Sequence, residues 1–457
     1  MGGADRFPLF RTALKENRET LWLALPMAAG QVAQMLMGWA DTVMVGRLGV
    51  LPLAACAFGV MVVHVFLVFG FGLISSVAIR ASQEFGAGRG KGVGRVLLSG
   101  IVLAVVAGLA MALLVQAAWP LLYHLGQERE VVDEAKPFLL LLAWSMIPAL
   151  LATVAKDFSE ALSRPWLPFW IILGGVGLNV FFNWLLIYGN WGAPRLGLTG
   201  AGYGTLAARW TVALALFGVI FGSRSYAPYR VLRVRWRLLW SGFFLLVRLG
   251  WPSGVHLLGE VGLFAATTLM MGWIGVVALA AHQVAITLAS TTFMLPLGLA
   301  FAVTVRVGQA VGAEESHRVR PIAFGALGFT VALMSLFSVI FLTCGHWIAS
   351  WFITDPAVIA TATMLLAIAG IFQLFDGFQI VGMGGLRGLA DVRVPMFFVY
   401  IAYWCVALPV GYWLAFHRGW GAEGLWTGMA IGLAGTAFAV GTRLWIMSGR
   451  VPPRLRA

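Results

Sequence analysis

A stretch of about 20 apolar residues, at a rise of about 1.5 Å each, makes a helix as long as the hydrocarbon layer of a membrane is thick. This chain has twelve such stretches, at about 21–45, 53–79, 96–122, 138–160, 166–188, 200–222, 243–272, 276–304, 322–348, 358–383, 394–416 and 424–447. Inside lipid every backbone N–H and C=O must be paired within the protein, so only helices and closed barrels cross. A barrel would be written as alternating segments of about ten residues, and none are present. The expected fold is therefore an all-α polytopic membrane protein with twelve transmembrane helices. Composition agrees: 60% hydrophobic and 11% charged, against about 45–50% and about 25% in soluble domains.

The runs fall into six, a break, and six. The break, Ser223 to Ser241, is the longest basic connection in the chain. The expected division is a polar lead-in over 1–20, an N-lobe of six helices over 21–222, a basic linker over 223–242, a C-lobe of six helices over 243–447, and a tail over 448–457. Lys and Arg in short loops stay on the cytoplasmic side. Counting from a cytoplasmic N-terminus, the inner connections hold Arg80, Arg89, Lys91 and Arg95, Lys156 and Arg164, five arginines of the linker, Arg306, Arg318 and Arg320, Arg387 and Arg393, and three arginines of the tail. The outer ones hold Arg47, Arg129, Lys136, Arg195 and Arg418. Both termini are thus expected inside, with the lead-in a cytoplasmic segment rather than a cleaved signal. The net charge of +13 follows from this topology, so nucleic acid is excluded as a partner. Cys56, Cys344 and Cys405 are isolated and show neither disulfide nor metal spacing.

The two halves repeat. Pro26 to Gly88 aligns without a gap on Pro252 to Glu314; VMVGRLGVLPLAA at 43–55 lies over LMMGWIGVVALAA at 269–281. An even number of helices precedes the second copy, so the copies run in the same direction, related by an axis along the membrane normal. The alignment also locates differences. Gln34 lies under Glu260, Asp41 under Thr267, and Asp376 opposite Ala152.

Glu260 stands near the middle of WPSGVHLLGEVGLFAATTLMMG, where a charge in lipid costs from about 2.5 to over 10 kcal/mol unless it faces protein or water. Glu260 and Asp376 belong to one half. Two carboxylates sharing a dry cavity do not both stay ionised cheaply, so either a proton neutralises one or a cation enters. Sodium would need several oxygens, with Thr267, Thr268 and Gln373 as candidates. In the other half Asp41 and Asn179 either hydrogen-bond across a cavity, or Asn179 simply holds helices together. Asp157, beside Lys156, reads as an ion pair; His64, His256 and His282 as single interhelical contacts; Asp355, before Pro356, as a turn or cap. There is no P-loop, HExxH or Ser/His/Asp arrangement. ATP-driven pumping, proteolysis and lipid enzymology are disfavoured, which leaves ion-driven transport without a bound cofactor.

Several stretches together resemble one family. They are QMLMGWADTVMVGRLGVLPLAA after Pro26, PSGVHLLGE, GVVALAAHQVA, PLGLAFAVTVRVGQAVGA and FDGFQIVGMGGLRGLADVRVP. They are similar to the multidrug and toxic compound extrusion (MATE) transporters of the NorM-type branch, and the resemblance spans nearly the whole chain. It implies two six-helix lobes around a central cavity, in a bacterial inner membrane, acting as a monomer. It also implies antiport: inward H+ and/or Na+ drives export of amphipathic, often cationic drugs and dyes. Carried over by position, Glu260 and Asp376 match a cation site, with Na+ as the metal, and Asp41 and Asn179 match an acid and amide that take part in coupling. Asp41, Gln283, Phe293, Asp355 and Asp376 match drug-contacting positions. The chain departs from some members in having Phe372 and Phe293 where they have Tyr, which shifts weight from Na+ towards H+. The alternative within the same fold is a flippase for a lipid-linked precursor, which would rely on basic cavity residues; the acids singled out here favour cationic cargo.

Overall fold

The computed structural model describes residues 8–124, 126–229 and 236–450. The outer parts of the expected lead-in (1–7) and tail (451–457), and 230–235 of the linker, lie outside the described residues. Twelve helices are long and apolar enough to cross a membrane: Glu16–Gly46, Val50–Gly86, Gly90–Ala117, Arg129–Ala161, Trp166–Tyr188, Gly197–Gly222, Arg237–Ile274, Val276–Gly312, Ser316–Ser350, Pro356–Gly388, Arg393–His417 and Gly421–Gly449. They are called the first to twelfth spans below. No strand occurs among the described residues. Every apolar run read from the sequence falls on one span, except that the third run overshoots onto a short separate helix, Trp119–Leu122.

Local chemistry sets the boundaries. Gly49 (φ 127°) and Gly275 (φ 146°) occupy equivalent places in the two repeats, each just ahead of the helix that follows. A side chain would be strained there, which explains why MVGRLGV and MMGWIGV share a glycine. The tenth span starts at Pro356, whose missing N–H is an orphan at that position in any case. Asp355 caps it, its Oδ1 accepting from Ala357 N at 2.8 Å and Val358 N at 3.2 Å. The lead-in is, from Pro8 on, helix continuous with the first span.

Contacts divide the chain into two compact units. One is Ala29–Gly254; the other joins the N-terminal stretch through Ala28 to Val255 and beyond. The units therefore cut the first and seventh spans two residues past Pro26 and Pro252, not in the loops where the linear division of the sequence was drawn. A proline inside a helix removes one i→i−4 hydrogen bond, which makes each of these positions a natural break.

Each unit has its own apolar core, running in the first from Val45 through Phe158 to Leu246, and in the second in two clusters, around Phe372 and Trp426 and around Leu23, Val303 and Leu386. Lipid offers no hydrophobic drive between helices, so packing relies on small residues that bring backbones together. In the first unit a Cβ on Gly72 would sit 2.5 Å from Gly254 Cα. In the second, a Cβ on Gly298 would sit 2.4 Å from Ala28 Cα. These two contacts are equivalent under the repeat. The second unit also buries an ion network: Glu16 accepts from Arg306 and, at 2.7 Å, from Arg318 Nε, and Glu19 pairs with Arg306 at 2.6 Å. Between the eighth and ninth spans, Glu315 lies 2.5 Å from Arg318 Nη1, which holds that carboxylate below its usual range.

Candidate functional site

The second unit buries both acids named from the sequence, Glu260 (8% exposed) and Asp376 (7%). Glu260 comes from the seventh span and Asp376 from the tenth, and each lies in the other's electrostatic field. Three further groups surround them. The buried Arg387 guanidinium lies within the field of Glu260 without forming a close ion pair to it, and its Nη2 is 3.4 Å from His256 Nδ1. His256 is one helical turn before Glu260, on the same face of the seventh span. The fully buried Tyr403 is within the field of both carboxylates; its hydroxyl donates to Gln379 Oε1 at 3.0 Å and accepts from Gln379 Nε2 at 2.6 Å. Tyr403 is carried on a π-helical stretch, Ile401–Ala407, a wider coil that is common at functional positions. Asp376 Oδ1 and His256 Nε2 are buried with no hydrogen-bond partner. A buried acceptor left unpaired costs about 1–3 kcal/mol, so an orphan carboxylate oxygen suits a place that takes up a cation.

The hydroxyls named as candidate cation ligands donate their protons to their own helices. Thr267 Oγ1 donates to Leu263 O at 2.9 Å, and Thr268 Oγ1 donates to Phe264 O at 2.9 Å. His282 receives Trp426 Nε1–H on Nδ1 at 3.1 Å, so its proton is on Nε2, which reaches Thr268 Oγ1 at 2.9 Å. It is a structural contact, as a lone histidine was expected to be. Gln373 Oε1 accepts from Thr292 Oγ1 at 3.1 Å. Phe372 stacks edge-on against Trp426 at 5.4 Å. Phe293 packs against the Leu23–Val303–Leu386 core, Gln283 is exposed, and Asp355 is spent as a cap.

In the first unit a polar ladder joins three spans. Asn183 Nδ2 donates to Asp41 Oδ1 at 2.5 Å and lies 3.4 Å from Asn179 Oδ1, and Asn179 Nδ2 reaches Thr205 Oγ1 at 3.4 Å. Asp41 and Asn179 thus belong to one constellation, but the residue touching Asp41 is Asn183. Its neighbour Gly204 leaves room for it, since a Cβ there would be 2.3 Å from Asn183 Oδ1. Two asparagines four apart in GGVGLNVFFNWLL put both amides on one face, a signal visible in the sequence. Lys156 pairs with Asp157 at 3.0 Å and Glu160 at 3.4 Å, the ion pair expected of Asp157. Beside these groups is a cavity of about 120 Å³ lined by Gln34, Met37, Phe71, Val176, Lys156 and Arg209 among others.

Two charges were overlooked in the sequence. Arg209 interrupts the sixth apolar run, and Arg387 follows the tenth, which ends at 383, so that it reads as a loop residue. A charge inside an apolar stretch, the signal that exposed Glu260, would have found Arg209.

The MatE family model matches residues 26–185 and 252–413, the two copies of the repeat. The chain belongs to the MATE family. Among its curated relatives, the probable multidrug resistance protein NorM of Mesorhizobium japonicum is 37% identical over 448 residues, 96% of both chains. The multidrug resistance protein NorM of Burkholderia vietnamiensis is 36% identical over 431 residues, 93% of both. These place it in the NorM-type branch. The fold is that of solved MATE structures: the eukaryotic MATE transporter AtDTX14 superposes with a TM-score of 0.85 at 21% identity, covering 96% of this chain and all of that one. The Vibrio cholerae MATE transporter VcmN, in its bent form, does so with a TM-score of 0.86 at 20% identity, covering 96% of this chain and 98% of that one. This MATE chain is a multi-pass bacterial membrane protein and a transporter, not an enzyme.

Proposed function

We propose that this protein is a secondary active multidrug antiporter of the inner membrane, with both termini cytoplasmic, that exports amphipathic, often cationic compounds in exchange for inward H+ or Na+. The observation that carries this reading is the buried pair Glu260 and Asp376, with an unpaired Asp376 oxygen, in a family whose relatives are named for multidrug resistance. With Arg387 counted in, two carboxylates and one guanidinium are one positive charge short of neutrality. A single monovalent cation supplies it. Phe372 and Phe293, at positions where the resemblance gives some members Tyr, bring no oxygen for sodium, which favours the proton as that cation. Asp41 with Asn183 and Asn179 forms a second polar centre facing drug or proton.

Antiport requires that cation and drug prefer different states of the transporter; tight binding alone moves nothing. Glu260 in its anionic form holds the cation, and its neutralisation shifts the balance towards drug release. Replacing Glu260 by Gln keeps its size but removes the titrating group. Ethidium efflux from cells producing Glu260→Gln is expected to fall to the background of cells lacking the protein, with membrane insertion unchanged. Wild-type efflux from that variant would remove Glu260 from coupling. In proteoliposomes, imposing a proton gradient and a sodium gradient in turn identifies the driving ion.

A further inference from the structure

His256 is buried in the seventh span with one ring nitrogen in use and the other idle. Nδ1 lies 3.4 Å from Arg387 Nη2. A guanidinium has donors and no acceptor, so the arginine donates, Nδ1 accepts, and the ring proton sits on Nε2. Nε2 has no hydrogen-bond partner. A buried donor left unpaired is destabilising, and an apolar side chain of similar size would avoid that loss, so packing alone does not account for a histidine here. What the ring supplies, and an apolar residue would not, is an acceptor for Arg387.

Arg387 is buried near the C-terminal end of the tenth span, in the field of Glu260, and it forms no ion pair with an acid among the described residues. Glu260 follows His256 by four residues, and side chains so spaced share one helix face with their Cβ atoms about 5–6 Å apart. A guanidinium held by the histidine is therefore one helical turn from the carboxylate, within the swing of an arginine side chain. Opposite charges in apolar surroundings attract strongly, which favours closing that gap. The neutral histidine keeps it open. The repeat supports a joint role for the three residues. Under it His256 lies over Gly30 and Glu260 over Gln34, and with LSR at 162–164 matched to LRG at 386–388, Arg387 lies over Ser163. The second copy has the histidine, the acid and the arginine together, and the first copy has none of them.

We propose that His256 is a positioning residue whose Nδ1 holds the Arg387 guanidinium one turn away from Glu260, so that the carboxylate stays open to the coupling cation. This rests on the transport reading and names what keeps its cation site usable. Without the histidine acceptor, Arg387 is a buried cation lacking a partner and closes on Glu260, where it takes the place of the coupling cation. Guanidinium–carboxylate pairs are among the strongest hydrogen bonds a protein offers, so a pair once closed does not open readily.

The test reads whether Glu260 is open. Dicyclohexylcarbodiimide attaches to protonated carboxyl groups in apolar surroundings, and the labelled peptide is identified by mass spectrometry. Purified full-length wild-type protein, in detergent and sodium-free buffer at mildly acidic pH, is expected to be labelled at Glu260. His256→Leu removes the acceptor and should be labelled about tenfold more slowly, the effect of one charge pair formed. His256→Asn offers an amide oxygen close to the place of Nδ1 and should be labelled within about twofold of wild type. Adding Arg387→Gln to His256→Leu should restore labelling, since the histidine acts through the arginine. Unchanged labelling of His256→Leu, a loss that Arg387→Gln does not restore, or wild type unlabelled at Glu260 would each overturn the proposal. Should His256→Leu not fold, His256→Phe, a ring without an acceptor, carries the same comparison with the same outcomes. The transport reading is tested separately by proton-driven ethidium export from proteoliposomes. Protein that is labelled as expected and exports nothing would remove the transport reading and leave the role of His256 intact.

Discussion

At the scale of single residues, the polar groups inside this protein differ in how they are held. Asp41 is held by one short hydrogen bond from Asn183, 2.5 Å long. Asp376 has an oxygen with no partner at all. Asn183 is itself fully buried and depends on Gly204 for space. Replacing Asn183 by Ala leaves the Asp41 carboxylate without that donor, at a cost of about 1–3 kcal/mol. Ethidium efflux should accordingly fall by about tenfold with protein abundance unchanged on immunoblots; wild-type efflux would show that Asp41 works without Asn183. Glu260, Asp376, Asp41 and Asn179 were legible because a polar group in an apolar run stands out by composition. Tyr403 was not, because a tyrosine in a membrane helix is unremarked and a π-helical turn changes the direction in which it faces. Arg387 escaped notice for a related reason: it follows a run end, where basic residues are read as topology signals.

At the scale of helices, the repeat is written in small residues and prolines more than in charges. Pro26 and Pro252, Gly49 and Gly275, and Gly72 and Gly298 are equivalent pairs, and each pair does the same structural work in both copies. The acids are where the copies diverge: Glu260 has Gln34 as its counterpart and Asp41 has Thr267. Packing that brings backbones together tolerates no side chain, whereas polarity is free to vary once the frame exists. Gly298 illustrates the first point, since a Cβ would lie 2.4 Å from the Ala28 backbone and 2.5 Å from its methyl. Backbone atoms cannot rotate away, so Gly298→Val is expected to cost about 1–3 kcal/mol through overpacking. The measurement is thermal unfolding of purified protein followed by tryptophan fluorescence. Gly328→Val, at a position with nothing within 4 Å of the added carbon, is the control and should melt close to wild type. If both variants melted alike, close packing at Gly298 would not be what stabilises this contact.

At the scale of the whole molecule, the solvent decides the design. Large apolar side chains such as Trp22, Phe244, Trp347 and Phe438 are more than half exposed, an arrangement suited to lipid and ruinous in water. The number and order of helices were legible for the same reason: lipid requires long apolar runs, and runs are counted easily. The way contacts divide the chain was not legible, because the division falls inside two helices, past Pro26 and Pro252, where composition does not change. Orientation follows from charge. Six of the connections or ends that share a side with the N-terminus carry Lys or Arg, among them Arg89, Arg164, Arg224, Arg318, Arg393 and Arg450, while the opposite side holds few. Basic residues near short loops resist translocation, so the loop at Gln127 is expected outside and the segment at Ser225 inside. In a background where Cys56, Cys344 and Cys405 are replaced, Gln127→Cys should react with a membrane-impermeant maleimide in intact cells. Ser225→Cys should react only after lysis. The reverse pattern would invert the assignment, and with it the side from which the proposed coupling cation enters.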